Sequence, residues 1–391
     1  MILFEEALKI VETSAELLAV ESVNLSESLG RVLAQDVFSY MDMPPFDKSA
    51  VDGYACRRSD LHLELRVLEV IPAGKVPTKT VNEGECSKLM TGGMLPPGAD
   101  TVIMVEEVEI TGENTIRFSA PKTAPNYCYR AEDIKAEEKV LDNGTLIRAQ
   151  EIAILASFGC DKPIVFRRPK AGIISTGDEL VEPSEKPALS QIRNSNAWQL
   201  LAQASNAGCD VKYYGIARDD QEITLNMINS AAAESDIVIL TGGISAGDFD
   251  FVPAVIQRAG FDIKFRQLAV QPGKPVIFAT KSGKYLFALP WNPVSSFVQF
   301  EMLVKHLLHS ITGCKSKPLT ISLPLGRDYK RSNNKRKAFF PVYLTTEGTA
   351  MPVVYHGSAH IHSYIQAQGI AIIELGEIEI KKGNSVHVRL I

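Results

Sequence analysis

Little in this chain would mark it as secreted, membrane-bound or nucleic-acid-binding. Its six cysteines, at 56, 86, 128, 160, 209 and 314, are scattered with no C-x-x-C pair and no metal-ligand spacing. That argues against a disulfide framework or a structural zinc site and leaves reduced, structural thiols. No apolar run reaches the length of a membrane span. The opening MILFEEALKIVETSA carries acids where a signal peptide carries bases, so a cytoplasmic location is expected. Neither sign of charge dominates: 41 Lys and Arg against 46 Asp and Glu leave a net charge of −5. Such a balance offers no global attraction to nucleic acid or anionic membrane, so an anionic ligand needs a local basic patch. H-E-x-x-H and the Walker loop are both missing, as are internal repeats and low-complexity segments.

What is present is 391 residues, 45% hydrophobic and 22% charged, an ordinary globular composition too long for one core. Leu3, Ala7, Leu8, Ile10 and Val11 recur at helical spacing behind acids in the first turn, predicting a helix over 3–14. The run Met43-Pro44-Pro45-Phe46-Asp47 breaks any regular element. Short β-like runs follow at Leu65–Ile71, Cys86–Met90, Thr101–Val108 and Thr115–Phe118, punctuated by Gly, Pro and Asn, which predicts a compact β lobe. Glu151–Phe158 reads as a short helix leading to a new domain.

After Arg167-Arg168-Pro169 the texture changes. Strand-like runs at Lys170–Ile174, Val211–Ile216, Ile237–Leu240, Val276–Thr280 and Tyr285–Leu289 alternate with helical patterns at 195–206, 220–233, 252–259 and 293–312. The alternation predicts a parallel sheet covered on both faces, with its ligand outside the carboxyl ends of the strands. Gly313–Pro318 reads as a linker. Beyond it Leu319–Leu323, Ala338–Leu344, Met351–Tyr355, Ile370–Leu375 and Ser385–Leu390 predict a small all-β domain.

The candidate chemistry lies in five stretches at that sheet edge. Thr241-Gly242-Gly243, with Ser245 and Gly247, brings permissive backbone and hydroxyls to a strand end, suited to an anion. Asp248 and Asp250 follow at i, i+2, on one side of an extended segment. Carboxylates repel a phosphate unless a divalent cation bridges the two. In Ser175-Thr176-Gly177-Asp178-Glu179 the hydroxyls and glycine suit an anion, and the acids suit a metal or an N–H-rich heterocycle. Asn194-Ser195-Asn196 precedes a helix and serves equally as an N-cap or a ligand contact. Pro272-Gly273-Lys274-Pro275 holds one lysine between rigid residues, a point charge for an oxyanion. In Leu289-Pro290-Trp291-Asn292-Pro293-Val294-Ser295-Ser296, Asn292 fits N-cap and Pro293 fits N1, leaving N–H groups near Val294–Ser296 free for an anion. His306 and His309 are expected to pack, since no third ligand is near, and His360 and His362 carry no assignment. Chemistry alone thus gives a metal-assisted site for a phosphorylated ligand.

Further stretches join these: Pro44-Pro45-Phe46-Asp47-Lys48-Ser49-Ala50-Val51-Asp52-Gly53-Tyr54-Ala55, Met90-Thr91-Gly92-Gly93-Met94-Leu95-Pro96-Pro97-Gly98-Ala99-Asp100-Thr101-Val102, Arg130-Ala131-Glu132-Asp133-Ile134, and Gly357-Ser358 followed by Ser363. Together they resemble the molybdopterin molybdenumtransferase family, which includes MoeA and the E domain of gephyrin, over nearly the whole chain. The resemblance implies a multidomain α/β protein. It comprises a small helical N-terminal part (1–42 and 140–168), a β lobe (43–139), an α/β parallel-sheet pterin-binding domain (169–314) and a C-terminal all-β domain (318–391). It also implies an elongated homodimer. Family members take adenylylated molybdopterin and molybdate, insert the metal into the dithiolene, and cleave the phosphoanhydride to release AMP with a divalent cation, Mg²⁺.

The family's active site, between the α/β domain of one subunit and the β lobe of the other, implies catalytic roles for Asp52, Asp133, Glu179, Asp219 (or its neighbour Asp220) and Asp250. Asp178, Glu179, Asp248 and Asp250 are the implied metal ligands. Lys274, Ser363 and Arg336 would hold molybdate, and the glycines of the 241–247 loop would cradle the pterin phosphate. Ser175, Thr176, Gly177, Asn194, Thr241, Gly242, Gly243, Ser245, Gly247, Pro272, Gly273, Pro290, Asn292, Pro293 and Ser295 complete the implied substrate contacts. Maturation proteins of molybdenum enzymes are the further implied partners.

Two departures stand out. Gln271 replaces the lysine that often precedes Pro-Gly-Lys-Pro, and Trp291 replaces the glycine of the usual Leu-Pro-Gly-Asn-Pro. The basic run Lys330-Arg331 to Lys335-Arg336-Lys337 reads either as a compensating source of charge or as a solvated hairpin. These departures raise two alternatives, a tungstate-selective or diverged paralogue and a non-catalytic pterin carrier or scaffold.

Overall fold

The structure, a computed structural model, describes residues 1–244, 251–316 and 318–391. The chain forms two compact units: Met1–Gln35, Gly144–Ala149 and Lys162–Ile391 make one, Asp36–Asn143 and Gln150–Asp161 the other.

In the second unit the short β runs pair into a six-stranded sheet of Thr101–Met104, Gly53–Cys56, Glu85–Leu89, Glu64–Ile71, Thr115–Phe118 and Val108–Gly112, in that spatial order. Tyr54, Cys56, Leu65, Cys86, Ile103 and Ile116 form its main apolar cluster. The run expected as one strand over Thr101–Val108 is interrupted by a 3₁₀ turn at Val105–Glu107. In that turn Glu107 accepts from the Met104 N–H at 3.2 Å, a donor that points away from the paired strand Gly53–Cys56. All six cysteines are free thiols. Burial pushes those of Cys56 and Cys86 up to about 12, far from a reactive thiolate.

The first unit is built on a second six-stranded sheet. Its strands are β1 (Lys170–Thr176), β2 (Asp210–Ala217), β3 (Ile237–Thr241), β4 (Asp262–Gln267), β5 (Pro275–Lys281) and β6 (Lys284–Leu289), in spatial order β2-β1-β3-β6-β5-β4. Helices α1 (Ser195–Asn206) and α2 (Gln221–Glu234) connect the early strands, and α3 (Val252–Arg258) follows β3. The long helix expected over 293–312 is α4 (Pro293–Gln299), a π turn at Phe300–Val304, and α5 (Lys305–Ile311). One sheet face packs on α1, α4, α5 and the N-terminal helix Phe4–Ser14, the other on α2 and α3. Phe278 ties the first face together, its ring 4.8 Å from Phe287 and 5.7 Å from Phe265. Each such buried ring contributes about 1.5–3 kcal/mol of transfer free energy.

The sheet is mixed, a correction to the all-parallel expectation. β1, β2, β3 and β6 are mutually parallel, whereas β5 runs antiparallel to β6 and to β4. The cause is a two-residue hairpin at Ser282-Gly283, both with positive φ (46° and 72°), the geometry that joins antiparallel neighbours. The reversal matters for the site. It brings the start of β5, with Pro272–Lys274 before it, to the edge where the parallel strands end.

The C-terminal strands Thr320–Pro324, Lys337–Leu344, Ala350–Pro352, Gly369–Ile373 and Ser385–Leu390 form an antiparallel sheet over Leu325, Phe340, Val342, Ala371, Ile373, Val386 and Val388. Val270–Gln271, just upstream of the lysine loop, joins this sheet in parallel with Lys337-Ala338. No described helix is long and apolar enough to cross a membrane.

Candidate functional site

The carboxyl edge of the β1–β6 sheet opens into a cavity of about 570 Å³. Strand ends supply most of its wall: Thr176 and Gly177 after β1, Gly243 and Ile244 after β3, and Pro290, Trp291 and Asn292 after β6. The start of β5 adds Pro272, Gly273 and Lys274, α4 adds the buried Ser295, and the loop before α2 adds Asp219. Arg336, just before the strand Lys337–Leu344, and Ser358, in a turn beyond Ala350–Pro352, complete the wall. The parallel pairing of Val270–Gln271 with Lys337-Ala338 explains the arginine's placement, and its Nη1 also donates to the Val270 carbonyl at 3.4 Å.

Other expected residues form the frame rather than the wall. Ser175 is fully buried and donates to Asn194 Oδ1 at 3.1 Å, while Asn194 accepts from the Ala197 N–H and so caps α1. Thr241 donates to the Pro290 carbonyl at 3.4 Å, and Thr176 to the Thr241 carbonyl at 3.4 Å, which locks three strand ends together. Gly242 allows this closure: at φ 104° a Cβ would lie 2.5 Å from the Thr176 carbonyl oxygen. Asn194, Thr241 and Pro293 line a smaller cavity of about 180 Å³, which shares Trp291 with the larger one.

The charges divide. Lys274 and Arg336 are the cationic lining, Glu179 and Asp219 the anionic. Partial desolvation pushes the Asp219 carboxyl up, and the negative charges of Asp178 and Glu179 add to the rise. Asp178 Oδ1 accepts from the Asp219 N–H at 3.2 Å. Asp220 instead caps α2, accepting from the Ile223 N–H at 2.8 Å, so Asp219 is the residue of that pair in the cavity wall. Arg218 spends its guanidinium on the carbonyls of Asp178 and Leu180. Glu179 accepts from the Trp291 indole N–H at 2.8 Å.

Some expectations are met differently. Asn292 makes no side-chain cap bond. Two of the N–H groups expected to be free at the start of α4 are engaged, Val294 by the Ser358 carbonyl at 3.0 Å and Ser296 by the Asn292 carbonyl at 3.0 Å. Ser363 is buried outside the large cavity, its hydroxyl donating to the His360 carbonyl at 2.7 Å, and it lines a separate cavity of about 350 Å³. Ser358 occupies the corresponding place in the main wall, and no sequence signal ranked it above Ser363. Ser245, Gly247, Asp248 and Asp250 lie outside the described residues. Gly243 to Gly247 also fits the G-x-S-x-G spacing of a hydrolase elbow, but no histidine lines the cavity among the described residues. In the other unit, Asp52 is exposed and accepts from Thr91 N–H at 2.6 Å and Oγ at 2.8 Å, bonds that hold its carboxyl below the usual range. Asp133 is exposed, its N–H bonded to the Met43 carbonyl at 3.0 Å.

A sheet edge with glycine-bearing loops, two basic side chains and two carboxylates around one cavity has the make-up of a ligand-binding α/β protein. Comparison with known proteins narrows that class. Residues 2–159 match the family model "MoeA N-terminal region (domain I and II)", 172–310 match "Probable molybdopterin binding domain", and 322–391 match "MoeA C-terminal region (domain IV)". A molybdopterin molybdenumtransferase of Staphylococcus epidermidis is 35% identical over 94% of this chain and 90% of its own length. One from Staphylococcus aureus is 32% identical over 99% and 94%. The crystal structure of a molybdopterin biosynthesis MoeA protein from Pyrococcus horikoshii superposes with a TM-score of 0.86 at 31% identity, covering 100% of both chains. The chain belongs to the molybdopterin molybdenumtransferase family.

Proposed function

We propose that the protein inserts molybdenum from molybdate into adenylylated molybdopterin and releases AMP. The observation that carries this reading is the divided cavity, with Lys274 and Arg336 in the same wall as Glu179 and Asp219. A phosphoanhydride and a molybdate dianion both need fixed positive charge, and Lys274 and Arg336 supply it. Cleavage of the anhydride concentrates negative charge on the departing phosphate oxygen, where pre-placed cations stabilise the transition state more than the ground state. The Gly177, Gly243 and Gly273 backbones let phosphate oxygens approach without a side chain intervening.

A divalent cation fits the acidic part of the wall. Asp178, Glu179 and Asp219 have no salt-bridge partner among the described residues, and Asp219 is raised by desolvation first and by the charges of Asp178 and Glu179 second. No trio of His, Cys, Asp or Glu among the described residues is grouped closely enough to hold an ion alone. Mg²⁺ in general keeps waters and completes its shell with substrate phosphates. Asp178, Glu179, Asp248 and Asp250 would hold it, and when bound it would neutralise the anhydride. Asp219 offers a carboxylate that accepts a proton more readily than an ordinary aspartate.

The test is incubation of the purified protein with adenylylated molybdopterin, Mg²⁺ and molybdate, following AMP release and reconstitution of a cofactor-free molybdenum enzyme. Molybdate-dependent AMP release with an active acceptor supports the insertase. Tight binding of the adenylate without release would replace it with the carrier reading, and preference for tungstate with the diverged paralogue. Asp250→Ala retaining full AMP release would refute the metal assignment. Homodimerisation and the roles of Asp52 and Asp133 belong to the same proposal, tested by sedimentation and by Asp52→Ala and Asp133→Ala.

A further inference from the structure

The lysine loop rests on a residue behind the cavity wall. Gln299, fully buried, ends α4 where the helix widens into the π turn at Phe300–Val304, an irregularity frequent at functional sites. Its Nε2 donates to the Pro272 carbonyl at 2.9 Å. The next residue, Gly273, lies directly against the same amide: at φ 93° a Cβ there would fall 2.7 Å from both Cγ and Nε2 of Gln299. The Gln299 Oε1 is buried with no partner among the described residues. A buried amide with half its capacity unused costs stability that an apolar side chain of similar length would not. Packing therefore does not account for a glutamine here, whereas the bond to Pro272 does.

We propose that Gln299 is a positioning residue for the oxyanion, holding the Pro272–Gly273 peptide so that the Gly273 N–H stays with Lys274 on the cavity side. The inference rests on the reading of the lysine loop as an oxyanion contact. In a planar trans peptide the carbonyl and the following N–H point in opposite directions, so fixing the carbonyl towards Gln299 turns the N–H away from it. Neither the Gly273 nor the Lys274 N–H has a partner among the described residues, and both residues line the cavity. Beyond them the Lys274 carbonyl accepts from the Leu268 N–H at 2.9 Å, which pins the far end of the loop. Between these two anchors stands a glycine, the residue at which a peptide plane turns over most easily. Without the Gln299 amide the buried Pro272 would be left with an unpaired carbonyl, and turning that peptide plane would relieve it by withdrawing the N–H from the anion. Successive backbone N–H groups beside an ammonium suit a tetrahedral dianion.

The test is calorimetric titration of the full-length protein with sodium molybdate from about pH 7 to about pH 9.5, each variant compared with the unaltered protein at the same pH. Gln299→Met keeps the length and removes the donor. It is expected to weaken molybdate binding about tenfold throughout that range. Gln299→Glu is the conservative variant. A carboxyl in this buried place titrates well above its ordinary value, and only its protonated form can donate to the Pro272 carbonyl. Its affinity is expected to lie within about threefold of the unaltered protein near pH 7 and to fall about tenfold or more behind as the pH rises. A residue that merely filled space would leave Gln299→Met with unaltered affinity. Should Gln299→Met fail to fold, recovery by Gln299→Glu near pH 7 decides the matter. Unchanged affinity in Gln299→Met, or equal weakening of Gln299→Glu at every pH, would overturn this inference alone. Failure of the unaltered protein to bind molybdate would overturn the oxyanion reading and this inference together.

Discussion

Gly242 and Gly215 have nearly the same backbone conformation, φ 104° and 100°, but very different surroundings. Alanine at either must adopt a positive φ, which costs about 1–2 kcal/mol. At Gly215, within β2, a Cβ meets nothing within 4 Å, so strain is the whole cost. At Gly242 the Cβ would lie 2.5 Å from both the carbonyl oxygen and the hydroxyl of Thr176. The carbonyl belongs to the end of β1 and cannot swing aside as a side chain would, which adds an overpacking cost of about 1–3 kcal/mol. Gly242→Ala should therefore be destabilising by roughly 2–5 kcal/mol and Gly215→Ala by roughly 1–2 kcal/mol. Urea unfolding followed by tryptophan emission reads the correct unit, because both tryptophans, Trp198 and Trp291, lie in the larger one. Equal midpoint shifts for the two variants would refute the reasoning, since they would mean that the contact with Thr176 carries no cost.

Lys274→Ala should weaken molybdate binding by roughly ten- to hundredfold, the range for a hydrogen bond to a charged group, while leaving the circular dichroism unchanged because the side chain is exposed. The raised carboxyl of Asp219 favours the protonated folded state, so its contribution is present in acid and lost as pH rises through its folded value. Asp219→Asn should thus raise the melting temperature of the cation-free protein near neutrality and not below the ordinary value of 3.8; an equal rise in acid would contradict the sign. Burial, then the charges of Arg389, Lys305 and His306, lower His309 from 6.5 to about 4, so the folded state loses stability as pH falls through that window. The full gap corresponds to ~3 kcal/mol, and partial exposure reduces this to ~1–2 kcal/mol. His309→Gln should flatten the stability profile by that amount between those pH values, measured by urea unfolding.

Much of the α/β domain was legible because its signals are local. Asn194 announces α1, whose bounds Ser195–Asn206 coincide with the apolar period, and the strand runs end where Gly and Pro begin. The reversal of β5 was legible in principle, since Ser282-Gly283 between two apolar runs is a hairpin signal, but the prevailing strand–helix alternation outweighed it. Asp219 and Asp220 were separable only by the cap that Asp220 makes to Ile223, which depends on where α2 starts. Ser358 against Ser363, and the bond from Trp291 to Glu179 across 112 residues, depend on how distant segments meet, and no local pattern encodes that.

The two-residue pairing of Val270–Gln271 with Lys337-Ala338 gives Arg336 an address written in main-chain hydrogen bonds rather than in side-chain packing. A ladder of this kind tolerates changes of side chain but not of count, because one residue of slip turns every side chain to the opposite face. Substitutions along 330–337 can therefore retune the charge offered to an oxyanion while its location stays fixed. Insertion of a single residue between Arg336 and the paired Lys337 would do the reverse, keeping the charge and moving it out of reach. Within this architecture, anion preference can drift by point substitution, whereas loss of the basic contact takes only one added residue where the strand begins.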